Sequence, residues 1–176
     1  MHRRMIRSLL GPLTVYAILL PGCGGSSGTG PDDDQNPNGH YIRFKADGVQ
    51  KEYTDDLLVY AFFTQVNPEY VFAGEGVGAG GSITDGSISL SAMDVAPITT
   101  KTYGSYQLSG SGWTVGQILY RIGGVQYETS DVPSDVRVTL TQIGASEVRG
   151  TFSGTVKATG RPSIAISAGE FFLLRH

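Results

Sequence analysis

The sequence predicts an all-β domain: an antiparallel β-sandwich of about nine or ten strands, with a closed or partly open β-barrel as the alternative. Three observations carry this expectation. Only 16% of the 176 residues are charged while 25 are glycine, a composition short of the Ala, Glu and Lys that favour helix. From His40 to His176, apolar and polar residues alternate with period two almost throughout. Turn formers such as Asp47-Gly48, Asn67-Pro68 and Gly123-Gly124 punctuate that alternation at short spacing.

Taken in order, Ile42, Phe44 and Ala46 alternate with Arg43 and Lys45, and Asp47-Gly48 supplies a tight hairpin into Val49–Tyr53. Leu57–Phe63 is apolar at every position but rich in Val, Tyr and Phe, which favours a strand buried on both sides over a short helix. Tyr70–Ala73 reads as a strand before a glycine-rich loop, Gly74–Gly81. Ile88, Leu90 and Ala92 alternate with serines, and Ile118–Ile122 and Val125–Glu128 flank Gly123-Gly124. Val136, Val138 and Leu140 make the next strand. Val148, Phe152 and Val156 share a face with Gly150 and Gly154, and Ile164–Ala168 runs into Phe171–Leu174 through a bulge at Gly169.

The first forty residues follow different rules. Arg3, Arg4 and Arg7 precede the 13-residue apolar stretch Ser8–Leu20, and no acid appears before Asp32. Spanning a bilayer takes about 20 apolar residues, so this stretch suits the core of an export signal. Leu20-Pro21-Gly22-Cys23 follows it and contains the only cysteine of the chain. These residues resemble the lipobox of bacterial lipoproteins, which implies cleavage before Cys23, diacylglyceryl attachment to its sulfur and acylation of the new amino group. Several acyl chains are what stable anchoring requires, because one chain binds a membrane only marginally. Gly24–Gly39 carries no aliphatic or aromatic side chain beyond its two prolines and reads as a flexible acidic tether. Asp32, Asp33 and Asp34 suggest a calcium loop, but Pro37 stands where the sharp turn needs glycine and Arg43 where the loop needs glutamate. The expected organisation is therefore a lipoprotein signal peptide at 1–22, the lipidated cysteine and tether at 23–39, and a β-domain at 40–176.

Removing residues 1–22 takes three of the 13 bases and none of the 16 acids, so the formal charge moves from −3 to −6. Three of those acids lie in the tether, and nothing in the remainder forms a basic face for nucleic acid. One cysteine excludes an internal disulfide and a cysteine-based zinc site. Gly76-Val77-Gly78-Ala79-Gly80-Gly81 matches a dinucleotide fingerprint in form, but the following residues read as strand rather than the helix that would hold a pyrophosphate. His40 and His176, at the edges of the domain, are poorly placed to activate a serine or share a metal. Convergence of Asp55, Asp56, Glu69, Glu75, Asp85, Asp94 or Glu128 into a carboxylate pair is open on sequence alone. No cofactor and no metal is expected.

Among the aromatics, Trp113 stands out. It is the only tryptophan and lies beside Gly110-Ser111-Gly112, where an exposed indole would belong to a binding surface.

The segments FKADGVQKEY (44–53), YGSYQL (103–108), GTFSGTV (150–156) and ISAGEF (166–171) together resemble an uncharacterised all-β domain family of Gram-negative lipoproteins. That family brings no established activity, so no catalytic residue is implied. The functional expectation is a membrane-anchored extracytoplasmic lipoprotein that is not an enzyme and acts as a binding or envelope-surface module. Its partners would be the membrane through the anchor and a glycan or envelope protein, with no nucleic acid. Its place would be the cell envelope, at the outer membrane, on either the periplasmic or the surface face. The alternatives are a carboxylate-based glycan hydrolase and, for a hollow barrel, an apolar-ligand carrier.

Overall fold

A computed structural model describes residues 39–54, 59–66, 68–78, 86–109, 112–129 and 134–176. The signal, Cys23, the tether, Asp55, Asp56, Asp85 and the end of the glycine-rich run lie outside the described residues. The described chain is all-β, with twelve strands and no helix. In order these are β1 (Tyr41–Ala46), β2 (Val49–Tyr53), β3 (Val59–Val66), β4 (Glu69–Val77), β5 (Ser87–Asp94) and β6 (Thr102–Tyr103). There follow β7 (Gln107–Ser109), β8 (Gly112–Ile122), β9 (Val125–Thr129), β10 (Arg137–Ile143), β11 (Glu147–Lys157) and β12 (Ile164–Arg175).

All twelve belong to one sheet, ordered β2-β1-β12-β3-β4-β5-β8-β9-β11-β10-β6, with β7 added to β8. Because β11 also pairs with β12, seven strands (β12, β3, β4, β5, β8, β9 and β11) close into a ring. Two short seams complete it. Strands β9 and β11 meet through Val156↔Thr129 and Lys157↔Glu128, and β12 meets β3 in parallel through Leu174↔Tyr60 and Arg175↔Ala61. The sheet is thus mixed where a purely antiparallel one is expected. A parallel pair needs a long crossover, and here the whole domain between β3 and β12 serves as one.

Local chemistry accounts for the turns. Asp47 and Gly48 both take positive φ, 47° and 82°, as do Gly123 and Gly124 at 56° and 73°. Both are the two-residue hairpins whose twist matches that of the strands. Asp47 is also tied across the sheet: its Oδ1 accepts from Ala165 N at 2.8 Å, and its own N donates to the Ala165 carbonyl at 2.9 Å. The expected bulge in β12 is present one step earlier. Ser167 and Ala168 stand opposite Ser153 alone, with Ala168 at φ 49°. Gly169 serves packing instead, since a Cβ there would run into the carbonyl and ring of Phe152.

The inner face is filled. Phe44 is fully buried and touches the rings of Tyr53, Tyr120 and Phe152 at 6.2, 5.4 and 5.7 Å. Phe72 stacks on Phe171 at 5.9 Å. Glycines on this face make room for larger neighbours: a Cβ on Gly74 would lie 2.5 Å from Leu173 Cδ1, and one on Gly150 would collide with Phe171. Such interleaving of small and large residues gives the close packing typical of protein cores. Strand β3 departs from its expectation of burial on both faces. Val59 and Ala61 are fully buried, Tyr60 and Phe62 are half-buried on the opposite face, and Thr64–Val66 are exposed.

Candidate functional site

The segment Thr102–Thr114 builds the most distinctive surface. It starts as β6 on β10, through Val138↔Tyr103, and ends as β7 folded back on β8. Tyr103 roots it. Its side chain is fully buried, and its hydroxyl accepts from Thr99 N at 3.0 Å and donates to the Thr99 carbonyl at 3.3 Å. The chain then crosses β8 at Gly116, whose N donates to the Gly104 carbonyl at 2.6 Å. Only glycine permits that approach, because a Cβ on Gly116 would lie 2.9 Å from the Tyr103 carbonyl carbon and closer still to its oxygen.

Beyond the crossing, Leu108 pairs with Trp113 and Gln107 with Thr114 across the hairpin. Alternation then separates chemistries: Leu108 and Trp113 share one face, Gln107 and Thr114 the other. The Tyr106 ring packs beside Trp113, with centroids 5.8 Å apart and planes at 31°. Leu108 is 75% exposed and Tyr106 39%. The apolar surface continues inward along the next row, where Val71, Met93 and Val115 stand side by side on β4, β5 and β8. Val66, 61% exposed, lies at the same end of the sheet opposite Glu69. Among the described residues, three of the four large exposed hydrophobic side chains (Val66, Tyr106 and Leu108) thus gather at one end, with Val49 the exception.

Beneath this end lies the one strongly buried carboxylate among the described residues. Asp94 is 3% exposed, accepts from Ala96 N at 2.9 Å and pairs with Lys101 Nζ at 2.5 Å. The Lys101 ammonium also lies 4.9 Å from the centre of the Tyr103 ring. Asp94 therefore holds the Val95–Lys101 loop that delivers Tyr103 to its pocket.

The other candidate acids do not converge among the described residues. Glu75 accepts from Tyr60 Oη at 2.8 Å and from Ser89 Oγ at 3.5 Å. Glu75 and Glu128 lie in one row, Glu75↔Ser89↔Leu119↔Glu128. Three strand spacings separate their backbones by about 14 Å, and the Glu75 carboxylate is held between Tyr60 and Ser89. Two-carboxylate glycoside chemistry uses separations of about 5–10 Å. Glu128 instead borders an open depression of about 360 Å³ with Gln126, Lys157, Ala158 and Thr159, at the β9–β11 seam. His40 packs on Phe172 at 4.8 Å and His176 on Tyr60 at 5.9 Å. Among the described residues no three His, Cys, Asp or Glu side chains gather where they could hold a metal.

Of the GxGxxG segment, Gly76 and Val77 close β4, and 79–81 lie outside the described residues. Gly76 is inside β4 and fits against Ile42 and Tyr53, and the chain returns as β5, antiparallel to β4, with no intervening helix among the described residues. Burial governs the tyrosines that titrate unusually. It pushes Tyr53 up to about 12, aided by Tyr120. Burial, the hydrogen bond to Glu75 and the charge of Glu75 push Tyr60 up to about 12.

Of the two residues singled out from sequence, Trp113 is on this hairpin, and Cys23 lies outside the described residues. Leu108 is the component sequence reasoning passed over. No protein-family model matches the chain, and neither a curated protein nor a solved structure does.

Proposed function

We propose that the protein is a lipid-anchored extracytoplasmic module of the cell envelope, held at the outer membrane through Cys23, that binds with the outer face of the Tyr106–Trp113 hairpin. It is not an enzyme. The observation that carries the binding part is the exposed Leu108 paired with the half-buried Trp113, with Tyr106 alongside. A hairpin rooted by the buried Tyr103 that leaves Leu108 and Tyr106 outside is a surface for a partner. The anchor rests on Leu20-Pro21-Gly22-Cys23 after its apolar stretch. The filled interior favours surface binding over carriage of an apolar ligand, and the separation of Glu75 from Glu128 weighs against a two-carboxylate hydrolase.

Metabolic labelling with palmitate tests the anchor. The wild type is expected to take up label and to sediment with membranes, and Cys23→Ala to lose both. Equal labelling of the two would remove the lipoprotein reading.

A further inference from the structure

The patch around Trp113 has a composition that points to its partner. Its exposed members are Leu108 and Tyr106, with the half-buried Trp113 between them and Val71, Met93 and Val115 in the adjoining row. Glu69 marks one border, and Lys101 lies behind the sheet, paired with Asp94. A saccharide platform needs donors and acceptors beside its rings to meet hydroxyl groups. Here alternation turns Gln107 and Thr114 to the opposite face of the hairpin. Among the described residues, the neighbours of the rings on this face are Leu108 and the row Val71, Met93 and Val115, with the Ser91–Gln117 pair one row further on. Trp and Tyr next to Leu, without a flanking cation, is the chemistry of the interfacial layer of a bilayer, where amphipathic rings meet headgroups and aliphatic chains lie just below.

The tether allows it. The 16 residues of Gly24–Gly39 reach about 55 Å when fully extended, whereas the longest strand, β12 with 12 residues, runs about 40 Å. No end of the domain is beyond reach of a membrane holding Cys23. A Gly/Ser-rich linker of this length has a root-mean-square span of about 22 Å as a random coil and gives a surface contact an effective concentration in the millimolar range. A patch too small to bind a membrane alone then suffices to orient a domain already anchored there.

We infer that the Tyr106–Leu108–Trp113 hairpin seats in the interfacial layer of the bilayer that carries the lipid anchor, fixing the orientation of the domain on the membrane. The inference rests on the lipoprotein reading proposed above. It is specific to a lipid surface, and Glu69 at the border favours zwitterionic over strongly anionic headgroups.

Because Trp113 is the only tryptophan, its emission reports this surface alone. The test uses full-length protein matured in cells, reconstituted into phosphatidylcholine vesicles with and without phospholipid brominated near the glycerol end of its acyl chains. The expected result is blue-shifted Trp113 emission, quenched about twofold or more by the brominated lipid. Leu108→Asp changes a residue that is mostly exposed, so the fold and anchor persist; it should still float with the vesicles while losing most of the quenching. Wild-type protein that floats with unshifted, unquenched emission would overturn the inference and leave the anchor standing. Protein that does not float, with Cys23 unmodified, would overturn both. Emission that responds to soluble envelope oligosaccharide, with no quenching by brominated lipid, would assign the hairpin to a glycan and also overturn it.

Discussion

The Tyr103 carbonyl carbon lies 2.9 Å from the point a Cβ on Gly116 would occupy. Both partners are backbone, so neither can swing aside. Gly116→Ala must therefore push the Thr102–Gly104 crossing off β8 or distort β8 itself. Overpacking of this kind costs about 1–3 kcal/mol, and the upper end is expected here because the contact is with main chain. Gly104→Ala is the control, since its Cβ would approach nothing nearer than 3.6 Å. Urea unfolding should show a large drop in midpoint for the first and little change for the second.

Phe44 joins both halves of the interior, touching Tyr53, Tyr120 and Phe152. Truncation to alanine leaves a cavity that three rings cannot all close. A loss of about 3–5 kcal/mol is expected, read from chemical denaturation. A loss below about 1 kcal/mol would mean that the interior is not packed as described.

Tyr60 and Tyr53 are both pushed up to about 12 from an ordinary 10.0. The unfolded chain therefore gives up these two protons first as pH rises. The stability involved is fully present below pH 10 and is lost through the interval up to about 12. Tyr60→Phe removes the hydrogen bond to Glu75, at a cost of roughly 1 kcal/mol. It should nevertheless show a shallower alkaline decline in urea midpoint than the wild type. An equally steep decline would contradict the arrangement.

An acid-side counterpart lies at Asp135. Partial desolvation raises its pKa, but hydrogen bonds from Thr155 Oγ1 at 2.7 Å and Thr155 N at 2.8 Å, with Lys157 nearby, outweigh that and hold the carboxyl below 3.8. Its contribution is present above pH 3.8 and disappears as pH falls through the lowered value. Asp135→Asn should lower stability at neutral pH and flatten the acid limb of the stability profile measured by circular dichroism.

The strands that the alternation marks well, β1, β5, β10, β11 and the first half of β12, bury one face more than the other, whereas Phe171, Phe172 and Leu173 bury both faces of β12. The short strands β6 and β7 escape that signal because two and three residues do not establish a period. They raise the strand number from the expected nine or ten to twelve. Strand β3 misleads for a different reason: its outward Tyr60 and Phe62 are apolar, so alternation vanishes although the burial is one-sided. Closure of the ring through a parallel β12–β3 seam joins segments more than a hundred residues apart, and local pattern carries no trace of it. At the hairpin, Trp113 is legible as a lone indole beside glycines. Leu108 becomes legible only once Ser109 is set opposite Gly112, the register that pairs Leu108 with Trp113. The carboxylates illustrate the limit in the other direction, for composition supplies several acids and only the rows of the sheet show how far apart Glu75 and Glu128 stand.

Tethering of this β-domain to a membrane through Cys23 is the claim on which the rest depends. Intact-mass analysis of the detergent-extracted protein from membranes tests it most directly. The account predicts a chain that begins at Cys23, lacks residues 1–22 and carries the mass of a diacylglyceryl group and an amide-linked acyl chain on that cysteine. A chain that still begins at Met1, or one that begins elsewhere with an unmodified Cys23, would contradict it.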